Sequence, residues 1–244
     1  MLKYLVAFLA SVAGAFTQRV SGFGFAIVAM MAIARLPFGT YGEAPALAGL
    51  TSMPMSAAVA LAHRKKIDFR LVLLPILSST AIKFVCIPIV AHITNVSVIK
   101  RILGGFFIVL GLYFLFFSKK IKVKPSVPVG LVCGLLSGVL DSFFSMGGPP
   151  VVLYFSAACG NDKDKYLAST QCFFAVSGII TIILRIINGM VTLTVMKYYV
   201  FTVAGMIIGL LLGKAVYKKL RPEVLKRIIY GFMIVSGLLS LING

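Results

Sequence analysis

Long runs of apolar residues, separated by short polar segments, follow one another along almost the whole chain. The pattern predicts eight hydrophobic elements, at about residues 2–36, 44–63, 69–93, 97–118, 126–159, 164–186, 192–216 and 223–242. An α-helix needs about 20 apolar residues to cross a bilayer core of roughly 30 Å, and most of these runs are close to that length. The sequence therefore predicts an all-α polytopic membrane protein.

Two of the elements are too long for one span and are interrupted by polar residues. At about 1.5 Å per residue, the elements at 2–36 and 126–159 would each form a helix of about 50 Å. Their interruptions read TQRVSGFG (17–24) and DSFFSMGG (141–148). Because glycines and polar clusters break helices, each long element is predicted to be a pair of half-helices.

Segments of the first half of the chain recur in the second half. VIKRILGGFFIVLGL, which starts at Val98, shares V, K, R, I, G, F, I, V, G and L in register with VLKRIIYGFMIVSGL, which starts at Val224. The broken elements also align, and their matched small residues are Gly14, Ser21 and Gly24 with Gly138, Ser145 and Gly148. We therefore predict a duplication, with repeats at 1–118 and 126–244 and a basic cytoplasmic connector at 119–125.

Composition and charge narrow the class of protein. Of the 244 residues, 60% are hydrophobic and 12% are charged, which leaves no room for a separate soluble domain. The net charge of +18 comes from Lys and Arg that lie between apolar runs rather than along one helical face or tail. Positive-inside topology explains this distribution better than nucleic-acid binding. We expect a multi-pass protein of the cell membrane, embedded in the lipid bilayer, with no nucleic-acid partner.

The basic loops favour a particular topology. If all eight elements crossed the bilayer, loops rich in Lys and Arg would fall on both faces. If the broken elements re-enter, segments 64–70, 119–125, 162–165 and 218–227 share one face. The opposite face then keeps only Lys3, Arg35, Lys100, Arg101, Arg185 and Lys197. This predicts two inverted repeats, each of one broken re-entrant helix hairpin plus three transmembrane helices, with both termini outside.

Three charged residues stand out within the apolar elements. Asp141 is the one acid deep in an apolar run, where it could cap a broken helix, bind a proton that is coupled to transport, or form a structural ion pair. Lys83 could snorkel to the interface, pair with Asp141 or attract an anion. Arg19 lies at the first break, where exposure to lipid is costly, and its planar fork of donors suits oxyanions.

The two breaks have the chemistry of an anion site. GFGFAIV (22–28) and GGPPVVLY (147–154) each place small residues before an apolar half-helix, whose N-terminal N–H groups and positive dipole end attract anions. In inverted repeats these two ends would face one point in the membrane. The extra donors there are Thr17, Gln18, Ser21, Ser142 and Ser145. The alternative interpretation of the glycines is close helix packing.

Two more polar clusters lie in apolar elements. Ser169, Thr170 and Gln171 form one, and Thr51 and Ser52 form the other. Either cluster could line the same cavity, or could satisfy carbonyl groups within its own helix. Cysteines Cys86, Cys133, Cys159 and Cys172 have no metal-site spacing, so we expect no metal and no other cofactor.

Two motifs resemble one known family. Q-x-x-x-GFGF (Gln18 with 22–25) in the first half and SMGGPPVVLY (145–154) in the second resemble the TauE/SafE-type sulfite exporters, also called the TSUP family of anion transporters. The resemblance covers the whole chain. It implies transport of sulfite, thiosulfate, sulfonates or related organosulfur anions, often driven by a proton gradient. By position it implies a substrate site of Gln18, Ser21, Gly22, Gly24, Ser145, Gly147, Gly148 and Pro149.

The expected function is that of a secondary transporter. It would move a small oxyanion, sulfite or another organosulfur anion, by alternating access, with protons as a second candidate partner. The anion would be bound by Thr17, Gln18, Arg19, Ser21, Gly22, Gly24, Ser142, Ser145, Gly147, Gly148, Pro149 and Gln171, with Asp141 and Lys83 as coupling residues. A passive anion channel on the same scaffold is the alternative. No enzyme is expected, because His63 and His92 lie at membrane edges and neither HExxH nor GxSxG occurs.

Overall fold

The computed structural model describes residues 1–93, 95–112, 115–116 and 124–216, together with 231, 234, 235, 237, 238, 241 and 242. Within this part of the chain the α-helices are α1 (Leu2–Ser21), α2 (Phe25–Ile33), α3 (Glu43–Ala62), α4 (Phe69–Ala91), α5 (Val96–Leu112), α6 (Val127–Phe144), α7 (Gly148–Cys159), α8 (Lys163–Ile187) and α9 (Leu193–Val216). A short 3-10 helix covers Arg64–Lys66. Most of the predicted connector at 119–125 and of the element at 223–242 lies outside the described residues.

Both predicted helix breaks are confirmed. Between α1 and α2, Gly22 and Gly24 adopt left-handed backbone angles, with φ of 82° and 103°. Glycine reaches this region without the penalty that a Cβ atom imposes. Between α6 and α7 the left-handed position is occupied by Ser145, with φ of 56°. Two half-helices therefore replace each long element, as the sequence predicts.

The lengths and surfaces of the helices fit a lipid environment. Among the described residues, α3, α4, α6, α8 and α9 are long and apolar enough to cross a membrane. By contrast, α2 with 9 residues and α7 with 12 are too short to do so. Large apolar side chains are exposed on the outer surface, for example Leu73 at 58% and Phe84 at 60%. Such a surface is costly in water and is stable against hydrocarbon.

Close glycine contacts show which helices run parallel. On α6, a Cβ atom at Gly138 would lie 2.6 Å from Ser79 O, and Gly134 faces Pro75 one turn earlier on α4. On α9, Gly205 and Gly209 face the carbonyl groups of Phe8 and Val12 on α1, in the same order along both helices. Small residues let these backbones approach closely. Helices α4 and α6 are therefore parallel, as are α1 and α9.

Contacts between helix ends fix the relative directions of the other elements. Asp68, which caps the N-terminus of α4, forms an ion pair of 2.8 Å with Lys165 in the first turn of α8. Thr192, just before α9, donates a hydrogen bond of 3.1 Å to Glu43 at the start of α3. Helices α4 and α8 therefore begin at one end of the bundle. Because α9 begins a few residues after α8 ends, α9 and α3 begin at the other end.

Candidate functional site

The two helix breaks open on one cavity of about 80 Å³. Its wall includes residues 24–27 at the start of α2 and Gly147 and Gly148 at the start of α7. A water molecule needs roughly 10–15 Å³ by the same measure, so the cavity has room for a small ion. The N-termini of two half-helices, which the sequence predicts to face one point, thus meet at the same cavity.

The two half-helices do not offer equal numbers of amide donors. In α2 the first intrahelical hydrogen bond runs from Val28 N–H to Gly24 O, at 3.2 Å. The amides of Phe25, Ala26 and Ile27 therefore have no acceptor within their own helix. In α7 the second and third residues are Pro149 and Pro150, which carry no N–H group. The α2 end is the richer source of donors for an anion.

Polar side chains from several helices contribute to the cavity wall. Gln18 of α1 donates a hydrogen bond of 3.3 Å to Ser56 of α3, and Ser52 lies one turn earlier on the same helix. Ser137 donates to Gly147 O, and Ser145 donates to Pro45 O at 2.7 Å. The apolar side chains of the wall are Phe23, Phe25, Ile27, Met53, Met146, Phe173 and Phe174. The wall therefore combines hydrogen-bonding groups with apolar, largely aromatic, side chains.

An ion pair lies at the cavity wall. Lys83 Nζ is 2.6 Å from Asp141 Oδ2, and it also donates hydrogen bonds to Ser177 and to Thr181 Oγ1. Thr181 in turn donates to the same carboxylate at 2.8 Å. The lysine is fully buried, whereas the Asp141 side chain is 20% exposed and lines the cavity. Asp141 is therefore the member of the ion pair that reaches the cavity wall.

This geometry decides between the interpretations of Asp141 and Lys83. The helix-cap interpretation of Asp141 is wrong, because Asp141 lies in the last turn of α6 and the cap of α7 is Gly147. The snorkelling interpretation of Lys83 is also wrong, since its ammonium group is held inside the bundle. The ion pair is present.

Arg185 is buried in the last turn of α8, so it is not an exposed charge of the membrane face opposite the basic loops, where the topology argument counted it. Only 1% of its surface is exposed. Its guanidinium donates to Asp141 O and Ser145 Oγ, each at 2.7 Å, and to Ser142 O and Pro45 O. The last carbonyl groups of a helix lack partners within it, so Arg185 satisfies the broken end of α6.

The spacing of polar residues along α8 indicates that Arg185 faces inward. Ser177, Thr181 and Arg185 are spaced four residues apart, which places them on one face of α8. Thr181 and Ser177 both contact the buried Lys83, so this face points inward. A polar face in an otherwise apolar helix is the pattern that identifies an inward-facing arginine.

Arg19 is not brought to the cavity. Its side chain is exposed, and its stem packs against Gly213 of α9. Helix α1 continues through Ser21, so Gln18 and Arg19 are still separated by about 100° around the helix axis. Because Gln18 points inward, Arg19 points away. The expectation that the helix is already broken at Arg19 is wrong.

The remaining predicted site residues lie around the cavity rather than in its wall. Thr17 and Pro149 are buried, and Ser142 donates a hydrogen bond of 2.7 Å to Gly138 O in its own helix. Gln171 donates to Gly22 O at 2.6 Å, so it satisfies the broken end of α1. The Gly22 carbonyl group lies at the end of α1. This bond therefore matches neither prediction for Gln171, which were a place in the cavity wall and a bond to a carbonyl group of its own helix. The side chain of Ser21 is outside the described residues.

Thr51 and Ser52 of α3 differ in role: Thr51 bonds to a carbonyl group of its own helix, and Ser52 lines the cavity. Thr51 donates to Leu47 O at 2.9 Å in its own helix and also contacts Thr202 of α9. Ser52 lines the cavity. Among the described residues, no group of three or more His, Cys, Asp or Glu side chains could hold a metal ion.

Comparison with known proteins gives one match. The family model described as "Sulfite exporter TauE/SafE" matches residues 6–240. This range contains both helix breaks, the cavity and the charged residues Lys83, Asp141 and Arg185. Neither a curated protein nor a solved structure matches the chain.

Proposed function

The chain belongs to the TauE/SafE family of sulfite exporters, which are membrane anion transporters, and on that premise we propose a specific mode of action. The protein is a secondary transporter that moves a small oxyanion, sulfite or another organosulfur anion, by alternating access. The observation that carries this proposal is the cavity at which the two helix breaks meet.

The anion is bound by the hydrogen-bonding groups of the cavity wall. The amides of Phe25, Ala26 and Ile27 lie at the positive end of α2, where backbone N–H groups are aimed at an anion. Gln18, Ser56 and the other wall hydroxyl groups add side-chain donors. These donors are neutral and fixed, so they replace part of the hydration shell of the anion without a large rearrangement.

The directions of the helices support two re-entrant hairpins. Because α6 runs parallel to α4, and α8 begins beside α4, the α6–α7 pair begins and ends at the same end of the bundle. By the same reasoning α1 is parallel to α9, and α3 begins beside α9, so the α1–α2 pair begins and ends at the opposite end. Hairpins that enter from opposite ends are what inverted repeats at 1–118 and 126–244 produce, as in many transporters.

Charge gives the orientation that we propose. The basic residues at 64–66, with Lys163 and Lys165, lie at the end where α4 and α8 begin. The positive-inside rule makes that end cytoplasmic. The N-terminus of α1 is then outside the cell membrane. The C-terminal residues are outside the described part of the chain, so their location rests on the duplication.

Uptake into proteoliposomes tests the function. We expect saturable uptake of one or more labelled anions among sulfite, thiosulfate, sulfate and short sulfonates, with accelerated exchange when unlabelled anion is loaded inside. Ser56→Leu fills the cavity and should lower uptake at least about tenfold, because binding and passage need that volume. Arg19→Ala, on the exposed face of α1, is the control and should leave uptake unchanged.

The passive-channel alternative gives a different result. A channel would carry ohmic anion current in planar bilayers and would show no accelerated exchange. Current of this kind, or uptake that does not saturate, would contradict the transporter proposal. Loss of uptake in Arg19→Ala together with normal uptake in Ser56→Leu would contradict the location of the site.

A further inference from the structure

Three charged side chains lie in or directly behind the cavity wall among the described residues. Lys83 and Arg185 are fully buried cations, and Asp141 is the acid that faces the cavity. Their formal charges leave one positive charge without a partner in this group. Glu43, a buried acid at the start of α3, accepts a hydrogen bond from Thr192 and forms an ion pair with neither Lys83 nor Arg185.

Both cations are one side chain away from the cavity. Lys83 contacts Asp141, Ser177 and Thr181, and all three line the wall. Arg185 donates to Ser145, which also lines the wall, and a Cβ atom at Gly49 would lie 2.8 Å from Arg185 Nη1. An anion in the cavity is therefore close to both positive groups, with Asp141 beside it.

Charge balance sets the kind of anion that the site accepts. A net charge buried in a medium of low dielectric constant is unfavourable, and a counterion relieves the cost. One singly charged anion neutralises the group. A doubly charged anion leaves an excess negative charge next to the Asp141 carboxylate, unless that carboxylate takes up a proton.

We propose that the cavity binds singly charged oxyanions while Asp141 is ionised and Lys83-bound, and binds doubly charged oxyanions only with a proton on Asp141. The inference rests on the proposed function and names its substrate class. For sulfite, the species bound without a proton on Asp141 is hydrogensulfite. A doubly charged substrate is instead transported with a proton that the protein holds.

The proton binds to the carboxylate of Asp141 itself, because none of the groups that face it can accept a proton. Lys83 faces it from α4, and Thr181 and Arg185 face it from α8. Tyr41, which precedes α3, donates its hydroxyl to Phe143 O at 2.9 Å. Helix α7 has no charged residue, and Arg101 of α5 is exposed. Each of the neighbouring groups is a cation or a hydroxyl, so none of them can take up a proton near neutral pH.

Calorimetric titration of the full-length protein in detergent tests the inference. The probes are methanesulfonate and sulfate, which keep charges of minus one and minus two across the pH range of the assay. The methanesulfonate Kd should stay constant with pH. The sulfate Kd should fall about tenfold for each unit of pH decrease, because one proton is bound with the anion.

Two matched variants locate the proton. Asp141→Asn removes the negative charge and should make sulfate binding strong and independent of pH. Asp68→Asn removes the acid of a second ion pair, which joins the first turns of α4 and α8 and does not line the cavity, and it should keep the pH dependence of the unaltered protein. The pH dependence of the unaltered protein decides the question even if a variant does not fold.

The outcomes separate this inference from the proposed function. Equal pH dependence for methanesulfonate and sulfate would overturn the inference and leave the transporter proposal standing. Sulfate that stays unbound at low pH, while methanesulfonate binds, would overturn the proton-linked binding of dianions. Failure of every anion, including sulfite and thiosulfate, to bind or move would overturn the proposed function itself.

Discussion

At the scale of single residues, the ion pair of Lys83 and Asp141 is expected to affect stability most when only one of its two partners is removed. Together the two charges offset much of each other's desolvation cost, and Thr181 adds a hydrogen bond to the carboxylate. Removal of one partner leaves the other charged group without a counterion in direct contact. The structure thus predicts that a single substitution costs more than a double one.

Lys83→Met should lower the free energy of unfolding by about 3–5 kcal/mol, because Asp141 is then left unpaired. Lys83→Met combined with Asp141→Asn should cost clearly less, since neither charge remains. Denaturant unfolding in detergent, analysed as a double-mutant cycle, measures both effects. Additive effects of the two substitutions would contradict the pairing.

The sequence identified Asp141 and Lys83 as the charged residues of interest, because charge is rare in an apolar run and costly there. It placed Arg19 in the anion site, where the structure does not bring it, and it gave no inward role to Arg185. Both arginines lie near the end of a helix, where sequence position alone does not tell which way a side chain points. Arg185 faces inward because the broken end of α6 supplies carbonyl acceptors, and those acceptors exist only in the folded molecule.

At the scale of elements, close packing of α4 on α6 depends on glycine. A Cβ atom at Gly138 would lie 2.6 Å from Ser79 O, and backbone atoms cannot move aside as a flexible side chain can. Gly138→Ala should therefore push the two helices apart and lower stability by about 1–3 kcal/mol. The same shift would separate Asp141 from Lys83 and lower anion transport.

Gly105→Ala is the matched control for this prediction. A Cβ atom at Gly105, in the middle of α5, would meet none of the described residues within 4 Å. Alanine is the better helix former, so this variant should be unchanged or more stable by about 0.5–1 kcal/mol. Thermal unfolding of both variants in the same detergent makes the comparison. Equal destabilisation of the two would show that helix packing at Gly138 is not the cause.

Most element boundaries could be predicted from the sequence. The predicted elements at 44–63, 69–93 and 192–216 agree within a few residues with α3, α4 and α9. Both breaks were found as well, because glycines and polar residues interrupt an apolar run in a way that a continuous helix does not tolerate. The unequal supply of amide donors at α2 and α7 follows from Pro149 and Pro150, which carry no N–H group, so it can be predicted from the sequence.

At the scale of the whole molecule, the two ends of the bundle differ in charge and should lie on opposite sides of the membrane. Cysteine labelling tests this in a variant whose 4 native cysteines are replaced by serine. An impermeant maleimide added to intact cells should label Lys3→Cys and should not label Lys65→Cys, because the positive-inside rule keeps the end at 64–66 in the cytoplasm.

Permeabilised cells provide the control, since both cysteines should then react. Both positions are exposed, so lack of labelling in that control would reflect a misfolded variant. Labelling of both positions from outside in intact cells would contradict the arrangement of the helices. Labelling of Lys65→Cys alone would reverse the orientation of the protein in the membrane.

The sequence by itself determined the class of protein, its apolar elements, the two helix breaks, and Asp141 and Lys83 as charged residues within apolar runs. These features depend on composition and on local backbone preference, which every segment carries with it. The tertiary structure decided which polar side chains face one another: Lys83 meets Asp141, Arg185 and Gln171 satisfy the broken ends of α6 and α1, and Arg19 is turned away. The physical reason is that both lipid and protein interior are apolar, so the pattern of apolar residues does not mark the inner face of a helix, and only packing between distant segments fixes it.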